Sequence, residues 1–117
     1  MDHKEYNEIK KQLLDVCQNI MNQKQPEYTN NNVDVLHNFK STAKRLKLNP
    51  QEVWGVFLDK HIQAILSHAG NPDMHQAEPI MSRYADAINY LLLGFAMHVE
   101  SMKKQHEDLK LIYKGIE

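Results

Sequence analysis

Four polar side chains fall inside the most apolar stretch of this chain, and their types suit the holding of a small polar ligand. Arg83, Asp86, Asn89 and Tyr90 lie in EPIMSRYADAINYLLLGFAMHVE, residues 78–100, where Asp86 and Asn89 are the only strongly polar groups between Tyr84 and Met97. At spacings of three and four they occupy adjoining faces of one helix. A carboxylate in such a setting demands a cation or donor beside it, because an uncompensated buried charge costs several kcal/mol or titrates away. With Arg for an anion, Asn and Asp for a polar ring or sugar, and Tyr for stacking, the group reads as a candidate binding site.

Further members come from earlier in the chain. Lys60 and His61 belong to the preceding helix, and antiparallel packing across a short connection would bring them level with Asp86 to Tyr90. Lys24 and Tyr28 approach from a loop, Asn38 and Lys40 from a short basic helix. Plainer fates compete for each of them. Lys60 and Asp86 would also make a buried ion pair that sets helix register, His61 a hydrogen-bonded core histidine, and Lys24 and Tyr28 a solvated lysine and an anchoring aromatic.

Several chemistries lack their signatures. There is no Gly-rich phosphate loop, CxxC pair, HExxH or GxSxG, and no i, i+4 pair among the seven histidines. No metal or other cofactor is called for. Cys17, the single cysteine, excludes an internal disulfide, and its place on an inner helix face suits an inert thiol.

The elements that must position these residues are helices. Only 4 Gly and 4 Pro occur, and no strand-length run alternates polar with β-branched residues, so an all-α fold in one domain of 117 residues is expected, a bundle of four to five helices. The first helix should run from Asp2 to Met21 and give way at Asn22–Asn32, rich in asparagine and holding Pro26, to a loop. Val35–Leu48 fits a short helix with Leu36, Phe39, Ala43, Leu46 and Leu48 inward. Asn49, Pro50 and Glu52 form a capping signal for a third helix, whose apolar stripe includes Val53, Trp54, Phe57, Leu58 and Leu66, with Gly70 as a left-handed terminus. Pro79 suits the first turn of a last helix running through Met102 toward Tyr113, with residues 101–117 as a charged extension. The stretch from Tyr84 to Met97 is apolar nearly all round and predicts burial on more than one side, hence a homo-oligomer.

The charge balance of 14 basic against 15 acidic residues, net −1, argues against a duplex nucleic-acid partner. No apolar run reaches the ~20 residues of a membrane span, and no leader-like segment opens the chain, so a cytoplasmic protein without a membrane partner is expected.

The ordered series Lys24-x-x-x-Tyr28, Asn38-Phe39-Lys40 with Ala43, Pro50 opening a helix that holds Lys60-His61, then Glu78 and Asp86-x-x-Asn89-Tyr90 resembles the phage and prophage nucleotide modification associated domain family, over about residues 24–100. That family is similar to the all-α MazG-like nucleotide pyrophosphohydrolases. The resemblance implies a helical oligomer that holds a phosphorylated nucleotide or nucleotide-derived ligand, in modified-nucleotide metabolism or in sequestering a nucleotide immune signal, within host cytoplasm if phage-encoded. MazG-like enzymes hold Mg²⁺ on ExxE and ExxD patterns. Here Arg83-Tyr84-Ala85-Asp86 has arginine in place of the first carboxylate, and the preceding helix offers Glu52 and Asp59 without an ExxE. Cations in place of carboxylates favour direct phosphate binding, by Lys60 and Arg83, over hydrolysis. The alternatives are a divergent Mg²⁺-dependent pyrophosphohydrolase using Asp59, Glu78 and Asp86, and a non-catalytic helical assembly protein.

Overall fold

The computed structural model describes residues 1–29, 33–75 and 78–106, and these form four helices: α1 (His3–Thr29), α2 (His37–Leu46), α3 (Pro50–Gly70) and α4 (Ile80–His106). No strand occurs among the described residues, in line with the all-α expectation.

Helix α1 overrides its own turn signal. It runs through Asn22, Lys24 and Pro26 to Thr29, where the asparagine-rich composition predicts a loop. Proline has no N–H for the carbonyl four residues earlier, but Pro26 is exposed, so water can reach the backbone group left unbonded. The extension keeps Lys24 on the same rigid rod as Cys17.

Helix α2 begins two residues later than predicted. Asp34 shapes the entry, its side chain accepting from the Leu36 N–H at 2.9 Å and its carbonyl from the His37 N–H at 3.1 Å. It ends at Lys47, which takes the left-handed conformation at φ 58°. Leu36, Phe39 and Ala43 are buried as expected, whereas Leu46 and Leu48 are exposed because the chain turns away before their face can close.

The capping box of α3 forms as its sequence requires: Asn49 accepts from the Glu52 N–H at 2.9 Å and Glu52 from the Asn49 N–H at 3.2 Å, with Pro50 at the first turn. Its far end differs from expectation. Gly70 is helical and no described glycine has positive φ; Asn71 closes the helix instead, its N–H reaching the Ser67 and His68 carbonyls. Of its predicted stripe, Val53 is buried, while Phe57 and Leu66 are exposed.

Helices α3 and α4 are antiparallel. Trp54 meets Tyr90 and Gly94, whereas His61 meets Asp86 and Tyr90, so numbers rise along one helix as they fall along the other. Leu36, Phe39, Ala43, Val53, Tyr90 and Met97 form the core among α2, α3 and α4, with Trp54, Leu58 and Leu93 against it. Helix α1 docks separately on α4 through small side chains: Cys17 and Ala85 are both buried, which lets the two backbones approach closely. Residues 3–12 of α1 remain exposed. Helix α4 is covered by α1 on one side and by α2 and α3 on another, while its remaining side, with Leu91, Leu92 and Phe95, faces outward.

Candidate functional site

Tyr90 lies between two neighbourhoods of different chemistry. Its ring is stacked by His61 at 5.2 Å and by Phe57 at 6.1 Å, the latter pair only 6° from parallel.

On the His61 side is the polar group foreseen from sequence. Asp86 is 4 % exposed, with Lys24 Nζ 3.8 Å from Oδ1 and His61 Nδ1 3.8 Å from Oδ2. Both separations exceed hydrogen-bond reach. The expected Lys60–Asp86 pair does not form. Lys60 is level with Asp86 as predicted but exposed, because one residue turns a helix by about 100°, and it is His61 that points inward. Burial pushes the His61 pKa below its ordinary value, Asp86 and Glu78 pull it up, and Arg83 and Lys60 add to the lowering. A neutral imidazole therefore faces the carboxylate at pH 7. Arg83 lies 3.9 Å from Glu78 through Nε, and neither that Nε nor His61 Nδ1, both buried, makes a hydrogen bond.

Asn89 is committed to packing. Its side-chain amide donates to the Cys17 carbonyl at 3.0 Å, joining α4 to α1. The Cys17 thiol donates to the Ala85 carbonyl at 3.7 Å, and burial, reinforced by the charge of Asp86, raises its pKa, so little thiolate forms.

On the Phe57 side, α2, α3 and α4 enclose a cleft of about 300 Å³ that residue spacing alone did not reveal. Phe39, Phe57, Tyr90 and Leu93 line its apolar part, and Asn38, Ser41, Thr42 and Arg45 supply the polar groups. Phe39 tilts against Phe57 at 56° and against Tyr90 at 59°. Arg45 donates to Ser41 Oγ at 2.9 Å and to Thr42 Oγ1 at 3.1 Å, two neutral partners that fix the guanidinium without cancelling its charge. Among the described residues no carboxylate pairs with it. The volume is at the lower end of small-molecule pockets, and apolar walls with a few placed polar groups are their usual make-up.

The structure thus divides the predicted site residues. Lys24, His61, Arg83 and Asp86 gather around the buried carboxylate, Asn38 and Tyr90 line the cleft, and Asn89 bonds to α1. Lys40 belongs to neither place. Its ammonium is 2.6 Å from both Asp34 Oδ2 and Glu100 Oε1, a three-charge link between α2 and the far end of α4. Burial alone would lower the Lys40 pKa, but bonding to the two carboxylates outweighs it and raises the value. The side chain of Tyr28 lies outside the described residues. Sequence spacing alone does not single out Arg45 and Phe57 as site residues, although the basic run of α2 and the i, i+4 relation of Phe57 to His61 mark both.

Among the described residues no three His, Cys, Asp or Glu side chains converge as metal ligands, so Asp59, Glu78 and Asp86 do not form one centre. Asp59 is exposed and accepts from Gln63 on its own helix.

No family model, curated protein or solved structure matches this chain.

Proposed function

We propose that this protein binds a phosphorylated, nucleotide-like small molecule in the cleft among α2, α3 and α4, and does not turn it over. The observation that carries this reading is the pairing, in one cleft, of an aromatic wall with a guanidinium that no carboxylate among the described residues neutralises. A planar base has the exposed ring of Phe57 to lie against, with the buried Tyr90 ring backing it, and Arg45 offers a planar fork suited to phosphate oxygens. Asn38, Ser41 and Thr42 supply polar contacts for a sugar or base edge. The buried group around Asp86 then acts as a support that holds Tyr90 and the α3–α4 register, with the phosphate anchored by Arg45 in place of Lys60 and Arg83.

The role is that of a cytoplasmic binder in nucleotide metabolism or in sequestering a nucleotide signal, as the phage-family resemblance suggests, and it includes self-association through α4. The separation of Asp59, Glu78 and Asp86 favours binding over Mg²⁺-dependent hydrolysis, since such a metal needs oxygen ligands that face one another.

Calorimetric titration with nucleoside mono-, di- and triphosphates, in EDTA and then with Mg²⁺, tests the reading. Binding should be independent of Mg²⁺ and weaken as salt rises. Charge-assisted bonds contribute about 1.5–3 kcal/mol, so Arg45→Ala should cost roughly tenfold or more in affinity. Stacking is of similar size, about 1–3 kcal/mol, so Phe57→Ala should match it. Unchanged affinity in both variants would remove the cleft from consideration, and Mg²⁺-dependent pyrophosphate release would overturn the non-catalytic assignment.

A further inference from the structure

Helix α4 has two faces, and among the described residues only one of them is covered by the other helices. Asp86, Asn89, Tyr90, Leu93 and Met97 point into the molecule, while Met81, Tyr84, Ile88, Leu91 and Phe95 follow one another at alternating steps of three and four on the opposite side, flanked by Leu92. Exposure on this outer stripe is 45 % at Met81, 44 % at Tyr84, 52 % at Leu91, 60 % at Leu92 and 53 % at Phe95, with Ile88 half-buried at its centre. Steps of three and four are the repeat of a two-helix seam, in which each apolar side chain fills a gap on a facing helix.

We propose that the occupant of this stripe is the α4 helix of a second copy, packed antiparallel about a two-fold axis near Ile88. The proposal gives the self-association in the functional reading a specific interface, and it does not depend on the ligand. Two observations select a second copy in this orientation. The stripe is self-complementary about Ile88: two-fold rotation there sets Met81 against the partner's Phe95 and Tyr84 against the partner's Leu91 and Leu92, so that thin side chains meet bulky ones. The area also suffices. At the exposures above, side chains of this size present roughly 600 Å² per copy, about 1,200 Å² for the pair, the lower edge of stable interfaces.

The test uses the full chain in light scattering or sedimentation at tens of micromolar, where a dimer has twice the 13.7 kDa chain mass. Leu91→Glu with Phe95→Glu should give a monomer of unchanged helical circular dichroism, since neither side chain enters the core. Orientation is read by oxidative cross-linking, with Cys17 buried and unable to interfere. Ile88→Cys should cross-link to itself and Phe95→Cys should not, while Met81→Cys combined with Phe95→Cys should link copies through unlike positions. A monomeric parent protein, or a double-glutamate variant that stays dimeric, would overturn the interface. Self-cross-linking at Phe95→Cys would overturn the antiparallel arrangement. A monomer that still binds nucleotide through Arg45 would reject this interface and leave the cleft intact, whereas a dimer with no nucleotide affinity would do the reverse.

Discussion

The indole N–H of Trp54 donates to the main-chain carbonyl of Tyr90 at 2.6 Å, in the middle of helix α4. Within an α-helix that carbonyl also accepts from the residue four further on, here Gly94. The absence of a side chain at Gly94 is what leaves room for the ring. A Cβ there would collide with Trp54 Cζ2 and Cε2 and come within 2.8 Å of Nε1. Exposed helical Gly→Ala substitutions gain about 1 kcal/mol from propensity. Gly94→Ala should instead lose about 1–3 kcal/mol, because overpacking outweighs that gain. Urea denaturation followed by the fluorescence of Trp54, the single tryptophan, measures it. A variant as stable as the parent would show that the indole can leave its place freely.

Asp86→Asn removes the charge from the buried carboxylate. Breaking a fully buried pair costs about 3–5 kcal/mol. Here the Lys24 side chain is 41 % exposed and can turn to solvent, and His61 is neutral, so the loss should be nearer to about 1–2 kcal/mol. Denaturant midpoints decide between the two magnitudes, and no loss at all would mean that Asp86 holds nothing in place.

Stability should fall as the pH drops below about 6.5. His61 has its folded-state pKa lowered from 6.5, principally by burial, with Arg83 and Lys60 opposing its charge while Asp86 and Glu78 favour it. The unfolded chain therefore takes up this proton first, so the contribution is complete above the unfolded value and is lost on acidification towards the folded one. Asp34 acts in a separate, lower window: the bond from Lys40 holds its pKa below 3.8, and its contribution is lost as pH falls through that range. Denaturation midpoints at neutral and mildly acidic pH should differ less in His61→Phe than in the parent, and equal slopes would remove His61 from the account.

Two lysines separate fold from site. Lys60→Met should leave stability within about 0.5 kcal/mol, as exposed substitutions usually do, and leave nucleotide affinity unchanged. Lys40→Met should lower stability by no more than about 1 kcal/mol, since its ion pairs are partly solvated, again without changing affinity. Loss of affinity in either variant, measured by calorimetry, would return that lysine to the ligand site.

Asn49→Ala should cost about 1 kcal/mol by opening the capping box of α3. Asn49→Asp keeps the acceptor and should restore most of that loss in the same unfolding measurement.

What the sequence determined by itself is local. The cap at Asn49, Pro50 and Glu52, the helical class, the burial of His61 and Asp86 and the antiparallel level of the last two helices all follow from spacing and side-chain chemistry over a few turns. Local signals also failed where distant contacts or solvent decided the outcome. Asn22 and Pro26 announced a loop where α1 instead continues to Thr29, and Lys60 lost its place beside Asp86 to His61 by a single helical step. Tertiary structure alone set the positions of Phe39, Phe57 and Tyr90 around one cleft with Arg45 at its polar side, because three helices contribute to it and no one of them encodes their relative rotation. The same holds for the outer stripe of α4. Its apolar residues are plain in the sequence, but which part of a nearly all-apolar stretch a neighbour covers is settled only when α1, α2 and α3 have claimed the rest.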